Sequence, residues 1–295
     1  MLIGSPAAEI RIDEPLLRKL LADQCPDLAM HSLIFVEEGY DNATWRLGRD
    51  LAVRIPRRAI AARFIESEQR WLASLAPDLP LPVPAPLHIG VPTSYYPWPW
   101  SILPWFDGQP ADLAEPAAAS ALPLVEFMTA LHKPAPPDAP QNEFRAVPLA
   151  EREPFLAPRF ERLKSTTDFI TPGLEALWQQ AVAAPIDIPP TWIHGDLHAR
   201  NVLTRDGIIC AIIDWGDMTS GDRATDLASI WMLLSDKEAR ATAVDAIGPL
   251  SEETWIRAKG WALSFGCLLL DSGLIDNPRH AEMGRRTFLR LAEDL

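Results

Sequence analysis

The sequence predicts an α+β fold in two parts. Residues 1 to about 104 form a small antiparallel-sheet part, and residues 105 to 295 a larger, mostly helical part. Three observations predict it. Apolar runs at 33–36, 43–47 and 51–55 are separated by Gly, Asp and Asn, as consecutive antiparallel strands require. After residue 115 most apolar positions recur at helical spacing. One hairpin interrupts that helical part: Val202-Leu203-Thr204, then Arg205-Asp206-Gly207, then Ile208 to Ile213, with Asp-Gly between apolar runs as the turn signal. A chain of 295 residues can bury a sizeable core as one large domain or two lobes.

The elements follow in order. Leu16, Leu17, Leu20 and Leu21 mark a helix within 9–24, with Asp13 as its N-cap and Cys25-Pro26 as its stop. Three strands follow, with a Glu37-to-Asn42 turn between the first two. Arg54 sits in the third strand between Val53 and Ile55, and a charge flanked by apolar neighbours needs a partner unless that strand face is exposed. Residues 59–75 read as a helix with an apolar stripe at Ala61, Phe64, Ile65, Leu72 and Leu75. Glu68 falls inside the stripe and Glu66 outside it, so Glu68 is the partner expected for Arg54; a solvated Glu68 at the stripe edge is the competing reading. The proline-rich 77–86 segment must be extended, Leu87 to Gly90 is a short strand, and Ser94 to Trp100 is an aromatic loop. Helices are expected over 115–132, within 151–183, and near 223–234, 236–246, 252–271 and 279–293. Asp271, Asp276 and Glu282 fall near helix ends and read as a solvated face, with a cleft lining as the alternative.

The chemistry concentrates around the hairpin. Trp192-Ile193 leads into His194-Gly195-Asp196, Asn201 follows five residues later, and Asp214-Trp215-Gly216 closes the second strand. This delivers Asp196, Asn201 and Asp214 to one end of one hairpin. Asn201 and Asp214 supply oxygen ligands suited to Mg²⁺, which takes one or two protein oxygens plus phosphates and water. Asp196 is then left to accept a hydroxyl proton. An Asp in a His-x-Asp loop, an Asn five residues on and an Asp-x-Gly that holds metal make up the protein-kinase layout. Taken singly, each residue also suits a capped turn. A zinc site at His194 and His198 fails for want of a third ligand, and no Gly-x-x-x-x-Gly-Lys-Ser/Thr loop is present.

His194-Gly-Asp-Leu-His-x-x-Asn201 followed by Ile213-Asp-Trp-Gly-Asp217 resembles the aminoglycoside phosphotransferase family of small-molecule kinases, over about residues 33–234. The resemblance implies a two-lobed, protein-kinase-like fold with ATP or GTP as co-substrate between the lobes and Mg²⁺ as cofactor. Asp196 would be catalytic, and Asn201 and Asp214 the metal ligands. Arg54, where the family pattern has Lys, would contact the nucleotide phosphates and pair with Glu68; Arg can hold phosphate, with a different geometry. Matching Asp107-Gly108 to the family hinge puts the Pro104 carbonyl and the Phe106 N–H against the base, although an ordinary aromatic loop also fits. His194, Asp222 and Asp226 would brace the catalytic loop. Asp217 would face a cationic substrate or, equally, cap a turn.

Composition narrows the partners. A net charge of −13 argues against nucleic acid, whose binding rests on Lys and Arg. It is compatible with a cationic small-molecule substrate, or with solubility alone. No apolar run reaches the ~18 residues of a membrane span. No signal peptide is expected at Met1–Pro6, and three scattered cysteines read as reduced thiols of a cytoplasmic protein. The expected activity is phosphorylation of a hydroxyl on an aminoglycoside. A macrolide or a sugar or amino-alcohol metabolite is the alternative acceptor, and a non-catalytic nucleotide- or drug-binding module the alternative class.

Overall fold

The computed structural model describes residues 7–39 and 41–295. The N-terminal Met1–Pro6 reading and Tyr40 of the 37–42 turn lie outside the described residues. The chain divides into two compact units, Met1–Pro77 with Val83–Asp107, and Asp78–Pro82 with Gly108–Leu295.

The first unit is built on a five-stranded antiparallel sheet. Its strands are β1 (Leu33–Glu38), β2 (Asn42–Leu47), β3 (Leu51–Pro56), β4 (His88–Gly90) and β5 (Trp100–Pro104), in the order β1-β2-β3-β5-β4. Helix α1 (Glu14–Gln24) starts at Asp13, whose carboxylate accepts the Leu16 N–H at 3.1 Å. It buries Leu17, Leu20 and Leu21 in one cluster with Val53, Ile55, Tyr96, Trp100 and Ile102. Each such side chain contributes roughly 1.5–3 kcal/mol of transfer free energy. Helix α2 (Ala59–Leu75) buries Ala61, Ile65, Glu68 and Leu72, so the stripe carries its carboxylate inward while Glu66 stays exposed.

The second unit is mostly helical. It holds β6 (Gln109–Pro110), α3 (Ala121–Leu131), α4 (Leu149–Thr166), α5 (Pro172–Ala183), β7 (Thr191–Ile193), β8 (Val202–Arg205), β9 (Ile208–Ile212) and β10 (Thr219–Gly221). Helices α6 (Ala224–Leu227), α7 (Ser229–Leu233), α8 (Lys237–Ile247), α9 (Glu252–Asp276) and α10 (Pro278–Glu293) complete it. The long α9 packs against α10, α4, α5 and α6. The β8–β9 hairpin turns through Asp206 and Gly207, both at positive φ (52° and 76°), the tight-turn geometry that Asp-Gly accommodates.

Several boundaries differ from expectation. The 115–132 helix begins only at Ala121, after one 3₁₀ turn at Ala118–Ser120. The Ala117 N–H and the Ser120 hydroxyl are used on the Gly207 carbonyl instead, at 2.7 and 3.0 Å, which ties this segment to the hairpin turn. The 151–183 pattern is two helices, because Thr171 caps a new start at the Leu174 N–H and Pro172 sits in its first turn. Asp271 is not solvated: α9 runs on to Asp276, and Asp271 is buried within it, bonded by Arg162 at 3.0 and 2.6 Å and facing Arg159 at 3.4 Å. A buried carboxylate on a helix face is tolerable only with such partners.

Candidate active site

Strand β7 fixes where the His194-to-Arg200 loop begins. It pairs antiparallel with β10, Ile193 opposite Thr219, so the loop leaves a paired strand end. Gly195 adopts φ +83°, and a Cβ there would lie 2.5 Å from the Asp217 carbonyl oxygen. Only glycine permits this bend and this approach. The fully buried Asp226 then accepts the His194 and Gly195 N–H groups at 2.7 and 2.9 Å, with the His132 Nε2 at 3.3 Å. His194 uses both ring nitrogens. Its Nδ1 accepts the Asp196 N–H at 3.2 Å and its Nε2 lies 3.1 Å from the Ile213 carbonyl, which assigns the proton to Nε2. Two consecutive peptides and one imidazole thereby set the backbone that presents Asp196.

Asn201 and Asp214 flank the hairpin rather than lying in its strands. The Ile213 N–H donates to the Asn201 carbonyl at 2.8 Å, which extends the ladder by one step and holds the two segments together. The Asn201 amide Nδ2 donates to the Asp196 main-chain oxygen at 2.9 Å and to its Oδ2 at 3.0 Å. Asp214 sits at φ +60°, an uncommon conformation for a side-chain-bearing residue. Trp215 beside it is fully buried, edge-on to His194 with ring centroids 4.8 Å apart, and bonded to the Ile212 carbonyl at 3.2 Å. This anchoring lets the chain hold the strained position at Asp214.

The site's charge is dominated by a residue that the sequence did not mark. Arg145, in the segment before α4, places Nη2 at 2.8 Å from Asp196 Oδ1 and 3.5 Å from Asp217 Oδ2. His198 Nε2 lies 3.3 Å from Asp196 Oδ2, and the Asn142 amide donates to Asp217 at 2.7 Å. Burial pushes the Asp196 carboxyl up, but the electrostatic pull of the neighbouring His198, Arg145 and His194 side chains outweighs it and holds it at about 2. Asp217 moves the other way. Burial raises it, and the neighbouring Asp196 and Asp214 charges add to that against the pull of Arg145 and Asn142. Nothing in the proline-rich 133–148 stretch has a periodicity that would have singled out Asn142 or Arg145.

Arg54 lies in β3 opposite Thr44 and Ser101, and its Nη2 is 3.3 Å from Glu68 Oε1, with Glu68 only 1% exposed. Pro104 ends β5 opposite Leu51, and Phe106 follows it half-buried in the segment that closes the first unit. Asp222 is buried, accepts the Ala224 N–H at 3.1 Å and pairs with the Arg257 Nε at 2.7 Å. The residue preceding α6 is Arg223, so Asp222 works one position earlier than a simple N-cap.

A divalent cation fits this donor set. The Asn201 NH₂ is taken up by Asp196, so only its amide oxygen would face a cation, and Asp214 has a carboxylate beside the same hairpin. Among the described residues no cluster of three or more His, Cys, Asp and Glu side chains is arranged to hold a metal. A Mg²⁺ site of one amide and one carboxylate, completed by phosphates and water, does not require one.

The comparisons agree with this architecture. The family model described as the phosphotransferase enzyme family matches residues 32–261. The GDP complex of aminoglycoside 2'-phosphotransferase-IIIa superposes with a TM-score of 0.69 at 18% identity, covering 96% of this chain and all of that one. The macrolide 2'-phosphotransferase of Brachybacterium faecium superposes at 0.58 with 20% identity, covering 93% and 97%. A homoserine kinase of Phenylobacterium zucineum (strain HLK1) is 32% identical over 111 residues, 32% of this chain, and the match spans only 34% of that kinase's length. The chain belongs to the phosphotransferase enzyme family and is, by class, a small-molecule kinase with a protein-kinase-like fold.

Proposed function

We propose that the chain transfers the γ-phosphoryl group of ATP or GTP to a hydroxyl of a small molecule. The observation that carries this is the presentation of Asp196, whose backbone is fixed by Asp226 and His194 and whose carboxylate is bonded by Asn201. Asp196 hydrogen-bonds the acceptor hydroxyl and takes its proton while the acceptor oxygen bonds to the γ-phosphorus and the bond to the nucleoside diphosphate breaks. A carboxyl held at about 2 is a weak base, so its main contribution is orientation, with the proton arriving late, as suits a loose phosphoryl-transfer transition state. Asn201 and Asp214 would hold a Mg²⁺ ion, whose charge would offset that of the phosphates. In the first unit, Arg54 steadied by Glu68 is the candidate phosphate contact, and Pro104 and Phe106 offer one backbone acceptor and one donor to a base edge. Solved relatives carry GDP, ADP and ATP, which supports a nucleotide co-substrate without choosing between ATP and GTP.

The acceptor named by relatives ranges from kanamycin and macrolides to homoserine. The acidic balance of −13 supports an aminoglycoside-type cation, and transfer to one would make the chain an antibiotic-resistance enzyme. The Arg145 guanidinium works against that choice, because an ammonium group would have to displace it from two carboxylates. No helix among the described residues is long and apolar enough to cross a membrane, and a cytoplasmic site of action accords with that. The test is phosphate transfer from ATP and from GTP, with Mg²⁺, to aminoglycosides, macrolides, amino-alcohols and hydroxy acids. Asp196→Ala should lower kcat roughly 10²–10⁴-fold with nucleotide affinity retained. Failure of Mg²⁺–nucleotide to bind at all would sink the kinase reading.

A further inference from the structure

The second unit holds a cation that no described residue neutralises. Arg152 lies in the first turns of α4 and is only 6% exposed. Its polar contacts do not match that burial: Nε is buried without a hydrogen-bond partner, and among the described residues no carboxylate pairs with the guanidinium. Its neighbours are the rings of Phe144 and Phe155, at 5.8 and 5.1 Å, and the charges it feels are those of Arg145 and Arg159. Burial and these two like charges both disfavour its ionised form. The preceding Pro148 offers no side-chain cap to the first N–H groups of α4, and Glu151 in the first turn offsets only part of that N-terminal potential without pairing with Arg152.

The arginines around it are compensated. Arg159 and Arg162 share Asp271, and Arg145 bridges Asp196 and Asp217. Among the described residues, Arg152 alone of the four lacks an anion. An unpaired buried charge costs several kcal/mol and persists only where something else requires it. Arg145 is the link to the chemistry, because the guanidinium that repels Arg152 also touches the carboxylate at the catalytic loop.

We propose that the acceptor substrate is an alcohol that carries a carboxylate, and that Arg152, together with Arg145, receives that carboxylate while Asp196 receives the hydroxyl. This rests on the kinase reading above and narrows it to a substrate class. The carboxylate supplies the counter-charge that Arg152 lacks and draws Arg145 partly off Asp196, which frees an oxygen for the incoming hydroxyl. Overall acidity does not oppose this, because charges beyond about 8–10 Å are screened at physiological salt whereas the two guanidiniums act at contact.

The experiment compares acid and amide partners at fixed ionic strength: L-homoserine with its amide, 4-hydroxybutyrate with its amide, and kanamycin as a polycation. Each is assayed for phosphate transfer and for its effect on Tm, in the wild type, Arg152→Met and Arg152→Lys. The expected result is an acid preferred over its amide at least tenfold in kcat/KM, a preference lost in Arg152→Met and partly kept in Arg152→Lys. The KM for nucleotide should stay within twofold in all three. Arg152→Met should melt no lower than the wild type, since it replaces an unpaired buried charge with an apolar chain, so lost preference would not reflect misfolding. The Tm readout needs no turnover: acids should raise the wild-type Tm more than amides do, and should not in Arg152→Met. Equal responses to acid and amide in both readouts would overturn the proposal, as would an acid preference that survives Arg152→Met. A raised nucleotide KM in Arg152→Met would assign the arginine to the triphosphate instead and overturn it as well. Mg²⁺–nucleotide binding, measured separately, tells whether the kinase reading has failed rather than the choice of acceptor.

Discussion

Replacing Asp226 by Asn removes one charge and leaves the shape nearly unchanged, so it isolates what this carboxylate does for the His194-to-Arg200 loop. Its two oxygens accept the His194 and Gly195 N–H groups at 2.7 and 2.9 Å, with no exposure to water. In the Asp226→Asn variant one oxygen becomes an NH₂ that must face an N–H or the His132 ring. One charge-assisted bond is lost, about 1.5–3 kcal/mol, and a buried donor is left unsatisfied, about 1–3 kcal/mol. The combined cost is roughly 4 kcal/mol. At about 2–3 °C per kcal/mol for a chain of this size, Tm should fall by roughly 10 °C. The same substitution loosens the peptides that present Asp196, and a misplacement of about 1 Å costs on the order of 10²-fold in rate. Thermal melting and steady-state turnover check both numbers. Asp236→Ala is the control, since Asp236 is an exposed cap bonded to the Ala239 N–H at 2.7 Å; it should cost about 1 kcal/mol and leave turnover unchanged. The reasoning is refuted if Asp226→Asn melts within about 2 °C of the wild type and keeps turnover within about threefold, far short of both expected effects.

Gly195→Ala forces a side chain into a left-handed conformation, about 1–3 kcal/mol, and against the Asp217 carbonyl, so turnover should fall at least 10²-fold; near wild-type turnover would show that the bend is not needed. Acid stability should depend on Asp187, whose carboxyl is held at about 2 by hydrogen bonds from Ser251, Thr254 and Arg257 against a smaller effect of burial. Its folded value lies below the unfolded ~3.9, so its contribution is complete above about pH 4 and disappears as pH falls toward 2. Asp187→Asn should therefore be less stable than the wild type at pH 7 in urea melts, with the gap closing by pH 2; a gap independent of pH would contradict the assignment.

The fold was legible where period and turn chemistry agree. The α2 stripe carried Glu68 inward and left Glu66 outside, because a 17-residue helix against a sheet has one buried face and the sequence shows it. The Asp206-Gly207 turn fixed the hairpin, and with it the neighbourhood of Asn201 and Asp214. What stayed hidden is of a different kind. The 115–120 segment has helix-forming residues, yet its donors serve the Gly207 carbonyl, a partner almost ninety residues away. Asp271 looks like a helix-end charge until Arg159 and Arg162, more than a hundred residues earlier, are seen to surround it. Arg145 lies in a stretch without periodicity, and its place between Asp196 and Asp217 follows from how the loop before α4 folds back, which no local pattern records.

Asp196 and Asp217 show why that hidden arginine matters more than the total charge of the chain. The two carboxylates share one guanidinium, yet they are driven in opposite directions. Asp196 receives it at 2.8 Å, with the His198 and His194 side chains adding to the pull, and its ionised form is favoured. Asp217 is raised first by burial, meets the guanidinium only at 3.5 Å and feels Asp196 and Asp214 as like charges, so its ionisation is opposed. Environment, not residue type, separates their roles, as it does wherever paired carboxyls divide the work of a site. A residue whose ionisation is opposed is a poor anchor for a substrate ammonium, while the unmatched Arg152 is a strong anchor for a carboxylate. The local imbalance thus runs opposite to the net charge of −13. An acceptor meets the local field at contact distance and the net charge only through screening water, so the local sign is the one that selects it.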